Sequence, residues 1–498
     1  MKKLKYIPLI ALALVFGCAD YLDVNVDPNN PTDAEGRLLL PAAQQSIAAR
    51  VGNRYRLTGS MWSQFYTQSN TASQYIAIDN YDVENLNFLE PDFVELFPGP
   101  LNDLKFIKNK AEASENWTNF LIAQVLEGYA YQLVADLYDG APLKEGLKGD
   151  EGNFTPVWDS GPEVYEELLL RLDNALSKDF SSSTNQSPLT SDLLFGGDVE
   201  SWIRFANTLK LKLMMRYSAV DAAKAQSLIS GLVASGAQFL DTDASISTYY
   251  DQPDRGNPLY EADRRNLNTT TNLKASLTLV NFLETNVDPR INVFYDAPIA
   301  GGPVKGMRQG TNSISSTILD SNTISGARVL PTDPAIFISL AEAYFLRAEA
   351  AARGFSNEDA KALYDQGVLA AFDRYGLDGS SFVAPGGAYE YPGGTVEENV
   401  EAIIEQKWVS QVGGNAIEAW FDKLRTGYPS FSSSAPGEAG YNPLAPGAPI
   451  LSFPVDAVTF DGDFPRRLLI PEDEILNNPN APAQPADGIL TPVWWDVN

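Results

Sequence analysis

Residues Glu397–Pro429 read EENVEAIIEQKWVSQVGGNAIEAWFDKLRTGYP, and the rest of the chain is best read outward from them. Just ahead of the stretch, Thr395 and Glu398 are spaced as a capping box, in which hydroxyl and carboxylate each satisfy an orphan backbone donor at a helix start. Ile403, Ile404, Lys407 and Trp408 follow at helical spacing, with the lysine stem lying along the apolar face. Gly413-Gly414 stops this helix, as glycine does where the chain leaves the right-handed region. A second short helix carries Ile417, Trp420, Phe421 and Leu424 and ends at Gly427 and Pro429, with Arg425 in its last turn. Glu401 and Glu405 read with Lys407 as charge pairing along the helix, not as a metal site. The bare reading is a buried helical hairpin rich in tryptophan and ion pairs, with nothing catalytic in it.

Helical order is predicted on both sides of a long irregular middle. Leu38–Ala49 and Met61–Gln68 carry helical patterning, and Asn119–Tyr138 aligns Leu126, Tyr129, Leu133 and Leu137 on one stripe. Helices are also expected from Gly161-Pro162 to Leu176, over Ser201–Tyr217 and, more weakly, over Asp221–Leu232. From Pro334, Ile336, Phe337, Leu340, Ala341, Tyr344 and Ala348 form a stripe that Gly354 ends; Ser356 and Asp359 open a facing helix with Tyr364, Gly367 and Ala371. Two antiparallel helices within this length, with small residues where they cross, predict a tetratricopeptide-like helical pair. The fold class is therefore mainly α: helical pairs over about 34–235 and 334–428 form a scaffold.

Three loop-rich regions, about 69–100, 241–330 and 429–498, interrupt or close this scaffold, with few short strands. Within the second, only Leu273–Thr285 has helical character, and Ile291–Phe294 suggests a small strand. A loop region of that length on a rigid scaffold is where function is expected. The third holds 12 of the chain's 32 prolines, which opposes regular structure, yet Leu451, Phe453, Phe460, Phe464, Leu468, Leu469 and Trp494 are too many hydrophobes for a disordered tail. It reads as a lid packed on the helices.

Composition excludes several chemistries. The sequence has no histidine among its 498 residues, which removes Ser-His-Asp and Cys-His catalysis and any histidine-ligated metal. No cofactor is expected. A formal charge of −28 opposes nucleic-acid binding, whose phosphates need a basic surface. Residues 1–17 form a basic and apolar leader, Lys2, Lys3 and Lys5 followed by Tyr6–Phe16, too short to span a bilayer and of signal-peptide type. The sole cysteine, Cys18, follows it directly, at the position where a bacterial lipoprotein is cleaved and acylated. An extended tether, 18–33, then leads into a single domain over 34–498.

The order Glu405-Gln406-Lys407-Trp408, a gap, Glu418-Ala419-Trp420 and Arg425-Thr426-Gly427-Tyr428-Pro429 resembles the C-terminal signature of the SusD/RagB family. Asn25-Val26-Asp27-Pro28-Asn29, Ala206-Asn207-Thr208-Leu209-Lys210-Leu211-Lys212 and the run from Arg466-Arg467 to Pro471 with Glu474 and Asn477-Asn478 add to the likeness. Leu424 where the family often has arginine, and Ile470 where it often has an aromatic, depart from it. The resemblance implies a lipid-anchored nutrient-binding protein of the bacterial outer membrane, displayed outward, that captures a glycan or peptide. It further implies delivery to a SusC-like TonB-dependent transporter, with the ligand on loops that face the transporter.

Glycan binding needs flat aromatic faces for sugar C–H surfaces and amide, carboxylate or guanidinium groups for hydroxyls. Two loops supply both: one with Tyr75, Asp79, Asn80 and Tyr81, the other with Tyr250, Arg255, Asn257 and Tyr260. Trp62, Trp158, Trp202, Trp408 and Trp420 sit on or beside helical stripes and are read as core. Two other function classes fit the composition: a glycoside hydrolase working with two carboxylates, and a helical-repeat scaffold for protein partners.

Overall fold

Several helices start where polar side chains hold free backbone N–H groups. In the computed structural model, which describes residues 36–82, 89–182, 191–270, 272–432, 450–457 and 463–498, the longer helices are α1 Gly36–Ala49, α2 Tyr55–Trp62, α3 Asn102–Ala113, α4 Trp117–Tyr138, α5 Gly161–Leu176, α6 Val199–Met215, α7 Ala222–Ala234, α8 Leu277–Thr285, α9 Leu340–Ala352, α10 Ala360–Asp373, α11 Val396–Ser410 and α12 Ala416–Thr426; a shorter one, Glu90–Leu96, lies in the region 69–100 expected to be loop. Asp198, Asp221, Ser339 and Asp359 accept from the N–H three residues on, and Ser160/Glu163 and Thr395/Glu398 form capping boxes. The leader, Cys18 and the tether to residue 35 lie outside the described residues, as does Phe460.

Successive helices pack as neighbours, α3 with α4, α4 with α5, α5 with α6, α6 with α7 and α9 with α10, which is the tetratricopeptide-like pairing. At the α9–α10 crossing a Cβ on Gly367 would lie 2.7 Å from the Phe345 ring. The approach of α12 to α2 is closer still: a Cβ on Gly59 would stand 2.2 Å from the Ile417 backbone nitrogen, so the two backbones touch there.

Strands are short and paired in two-stranded antiparallel ribbons: β1 Tyr66–Gln68 with β5 Leu273–Ala275, β2 Gly140–Ala141 with β3 Asp159–Ser160, and β4 Ala244–Ile246 with β6 Ala335–Ile338. Four sequence expectations change here. The helix expected over Met61–Gln68 ends at Trp62, and Tyr66–Gln68 is a strand. Leu273–Ala275 and Ala335–Ile338 are strands and not helix starts, and Ile291–Phe294 is a single helical turn and not a strand. Each is a short run whose periodicity is ambiguous; the partner strand, present or absent, decides.

The helical hairpin around Trp408 and Trp420 is held by buried charge. Arg216 Nη2 lies 3.0 Å from Asp136 and 2.8 Å from Glu418, and Lys212 Nζ lies 2.7 Å from Glu418 and 3.2 Å from Glu342. Lys407 pairs with Asp422 at 2.8 Å, while Arg425 grips both Glu349 oxygens at 2.6 Å. These ions join α4, α6, α9, α11 and α12. Lys407 therefore does not pair with Glu401 or Glu405: two positions on a helix apart, Lys407 and Glu405 point to different faces. Trp62, Trp202, Trp408 and Trp420 are buried, whereas Trp158 is half-buried, stacked 5.6 Å from Phe93.

The proline-rich end is a strap. Trp420 Nε1 donates to Pro465 O at 3.0 Å and its ring stands 5.6 Å from Phe464. Leu468 N donates to Leu137 O at 2.7 Å, and Trp158 Nε1 and Asn478 Nδ2 donate to Glu474 at 2.9 and 2.7 Å. The Arg466–Asn478 run thus ties the chain end to α4 and to the loop before α5.

Candidate functional site

Tyr260–Asn266 winds as a wide π-type helix, a form that occurs in short turns and often at functional positions. The irregular loops converge on it. Tyr75 Oη and Asn272 Nδ2 both donate to Asp263 Oδ1 at 2.9 Å, and Arg264 pairs with the same carboxylate. Arg265 pairs with Asp251 and with Glu261 at 2.5 Å each. A third stretch joins through Asn70 Nδ2, which donates to Ile314 O at 3.0 Å and Leu319 O at 2.8 Å. Loops near residues 70–75, 250–272 and 312–321 are thus knitted together at their bases.

The expected ligand residues divide sharply. Tyr75, Asn80, Tyr81 and Asn257 are buried. Asn80 Oδ1 accepts from Asn312 at 2.7 Å. Tyr81 has no exposed ring face and packs 6.4 Å from Trp420. Asn257 Oδ1 accepts from Leu259 N and Tyr260 N, opening the π-type turn, and its amide donates to Asp333 O at 3.1 Å. Asp79 is likewise internal, accepting from Thr67 and Gly310 at 2.9 and 3.1 Å; burial pushes its carboxyl up to about 7. As placed, these side chains are struts, because the residue types that bind sugars are also those that brace loops.

Tyr250, Arg255 and Tyr260 reach the surface. Tyr250 is 49% exposed, Arg255 is exposed and Tyr260 is half-buried. The Arg255 guanidinium lies 4.6 Å from the Tyr250 ring centre and that of Arg265 lies 5.2 Å from Tyr260, so each ring is backed by a cation. Tyr250 N closes the turn onto Arg255 O at 2.8 Å. Gln74, Asn266 and Asn268, which the sequence reading passed over, stand exposed on the same loops and offer amides to hydroxyls. The polar runs Ser69–Gln74 and Asn266–Asn272 are their only sequence signal. Two of the nearby carboxylates are engaged, Glu261 by Arg265 and by Gly256 N at 2.7 Å and Asp251 by Arg265, while Asp254 stands exposed on the same loop. Among the described residues no group of three or more potential metal ligands of the acidic or cysteine type occurs, and no helix is long and apolar enough to cross a membrane.

The molecule is a mainly helical scaffold of tetratricopeptide-like pairs that carries an aromatic, amide-rich loop face. Residues 28–445 match the family model described as SusD-like, starch-binding associating with outer membrane. The chain belongs to this family, which is described by binding and by its association with the outer membrane. No curated protein sequence matches it. Among solved structures, a SusD homologue from Bacteroides uniformis is 24% identical with a TM-score of 0.76, covering 94% of this chain and 100% of its own. A chitin-binding SusD homologue from Flavobacterium johnsoniae is 22% identical with a TM-score of 0.72, covering 92% and 99%. A SusD homologue from Bacteroides ovatus, also 22% identical with a TM-score of 0.72, covers 93% and 99%.

Proposed function

We propose that this protein is a cell-surface glycan-capturing lipoprotein, acylated at Cys18, that passes its ligand to a SusC-like TonB-dependent transporter. The observation that carries this reading is the Tyr250–Tyr260 loop: two aromatic rings, each backed by a guanidinium, at the surface of a braced scaffold. Sugar C–H faces stack on such rings, and Gln74, Asn266 and Asn268 are placed to take hydroxyls. Engagement of Asp251 and Glu261 by Arg265 supports binding over hydrolysis. Starch and chitin oligosaccharides are the first ligands to try, given the family description and the chitin-binding relative.

The test is calorimetric titration of the purified chain with both oligosaccharide series. Tyr250→Ala with Tyr260→Ala should weaken binding by about tenfold, roughly the loss of two ring contacts at about 0.5–1.5 kcal/mol each. Unchanged affinity in that double variant would remove the loop from the site, and release of reducing ends would favour the hydrolase. Cys18→Ala should move the protein from the membrane fraction to the soluble one; a variant that stays with the membrane refutes the anchor.

A further inference from the structure

A cavity of about 320 Å³ is lined by Arg56, Tyr66, Arg328, Asp333, Arg374 and Tyr375, with apolar side chains between them. Three arginines at one cavity are unexpected in a chain of formal charge −28. Arg374 is partly committed, donating to Ser410 O at 2.9 Å and facing Asp243 at 3.5 Å. Arg328 stands exposed, and no ion pair is found for it among the described residues. Arg56, on α2, is 1% exposed; its guanidinium faces the Tyr66 phenol and the Asp333 carboxylate, 3.9 Å away, and none of its three nitrogens reaches an acceptor in full hydrogen-bond geometry.

The other fully buried arginines show how unusual this is. Arg216, Arg290 and Arg425 each reach carboxylate oxygens at 3.0 Å or less, at Asp136 and Glu418, Asp288, and Glu349 respectively. Burying a guanidinium with its donors unmet is costly, and folded proteins keep such a group where something else meets it. The space in front of Arg56 is also kept open. Gly413 sits at φ +74°, and a Cβ there would lie 2.8 Å from the Tyr375 hydroxyl and 4.0 Å from Arg56 Nη2. The Tyr375 hydroxyl is spent on Val412 O at 2.8 Å, which leaves its ring as cavity wall.

We infer that this cavity binds a small carboxylate of monosaccharide size, its two oxygens received by the Arg56 fork and its entry favoured by Arg328. A planar guanidinium matches a carboxylate bidentately, and the volume falls at the low end for ligand cavities, enough for one sugar-sized acid and too small for an oligomer. The chemistry is shared by a uronic acid and by the free end of a peptide. None of the residues that line the cavity belongs to the glycan surface proposed above, although Asp333 O accepts from Asn257 of that loop at 3.1 Å.

The experiment is a titration of the full-length protein, at fixed ionic strength, with D-glucuronate, N-acetylglycylglycine and, as neutral control, glucose, read by saturation-transfer NMR and calorimetry. At least one carboxylate should bind saturably and glucose should bind at least about tenfold more weakly. Binding of glucuronate alone assigns an acidic sugar, and binding of the peptide alone assigns a peptide terminus. Arg56→Gln should lower affinity by about 20-fold or more; because Arg56 is buried, Arg328→Ala at the exposed position supplies a variant with unchanged melting and about three- to fivefold weaker binding. Tyr250→Ala should leave carboxylate binding as it was, which separates this site from the glycan surface. Glucose binding as tightly as glucuronate, no binding of either acid, or affinity untouched by Arg328→Ala overturns the assignment.

Discussion

Replacing Arg425 by methionine would expose how the buried ions hold this fold. Arg425 Nη1 and Nη2 lie 2.6 Å from the two Glu349 oxygens, and Nη2 lies 3.0 Å from Asp422 Oδ1. After the change, Glu349 keeps only Arg353 at 2.8 Å and Asp422 keeps Lys407 at 2.8 Å. Breaking one partner out of a buried pair costs about 3–5 kcal/mol, and the surviving partners place this case near the low end, about 3 kcal/mol. The titration of Glu349 reports on the same cluster of ions. Burial alone would raise the Glu349 carboxyl, but Arg425 and Arg353 outweigh it and hold it at about 2, below its ordinary 4.5. At about 1.4 kcal/mol per pH unit, that displacement corresponds to roughly 3 kcal/mol.

Because the folded value is depressed, this stability is whole above the unfolded carboxyl range and is lost as pH falls towards about 2. The wild type should lose roughly 2 kcal/mol from this group between about pH 6 and pH 3, whereas the variant should lose little from it. The gap between them should therefore shrink from about 3 kcal/mol at neutral pH to about 1 kcal/mol near pH 3. Urea unfolding followed by far-ultraviolet circular dichroism at several pH values measures both quantities. Arg425→Met combined with Glu349→Gln should recover part of the loss by removing the stranded charge. A gap below about 1 kcal/mol at neutral pH, or one that stays constant on acidification, refutes this account of the lattice.

Two further predictions concern the same helices. Trp420→Ala removes a buried ring packed on Trp62, Tyr81 and Phe464 together with the bond to Pro465 O, and should cost about 3–5 kcal/mol in denaturant unfolding. It should also speed proteolytic clipping within 463–498, and an unchanged digestion pattern would show that the strap is held elsewhere. Glu405→Gln should stabilise. Burial, with Glu401 adding to it, pushes the Glu405 carboxyl up to about 8, so its ionisation costs stability increasingly as pH rises from its ordinary value towards 8 and costs nothing below. With this half-buried side chain screened by water, the gain is about 1 kcal/mol near pH 8 and close to zero near pH 5, to be read as a difference in melting temperature at the two pH values.

Helix positions were legible in the chain because helix signals are local. The Thr395/Glu398 capping box, the Asp359 cap, the Gly427 stop and the facing stripes around Gly367 all act within a few residues, and each appears in the structure where its spacing places it. The family wording of Glu405–Pro429 is equally local, and it sufficed for family and fold class. What needed tertiary structure was every choice between two roles open to one residue type. Leu273–Ala275 became a strand because Tyr66–Gln68, some 200 residues earlier, supplies its partner. Lys407 turned from its own helix to Asp422 on the next. Tyr81 and Asn257 went inward while Tyr250 and Arg255 stayed out, although all four sit in loops of the same polar and aromatic character. Spacing along the chain sets backbone hydrogen bonding, which is short in range. Burial and ion pairing depend on which distant segment arrives opposite, and only the folded chain holds that information.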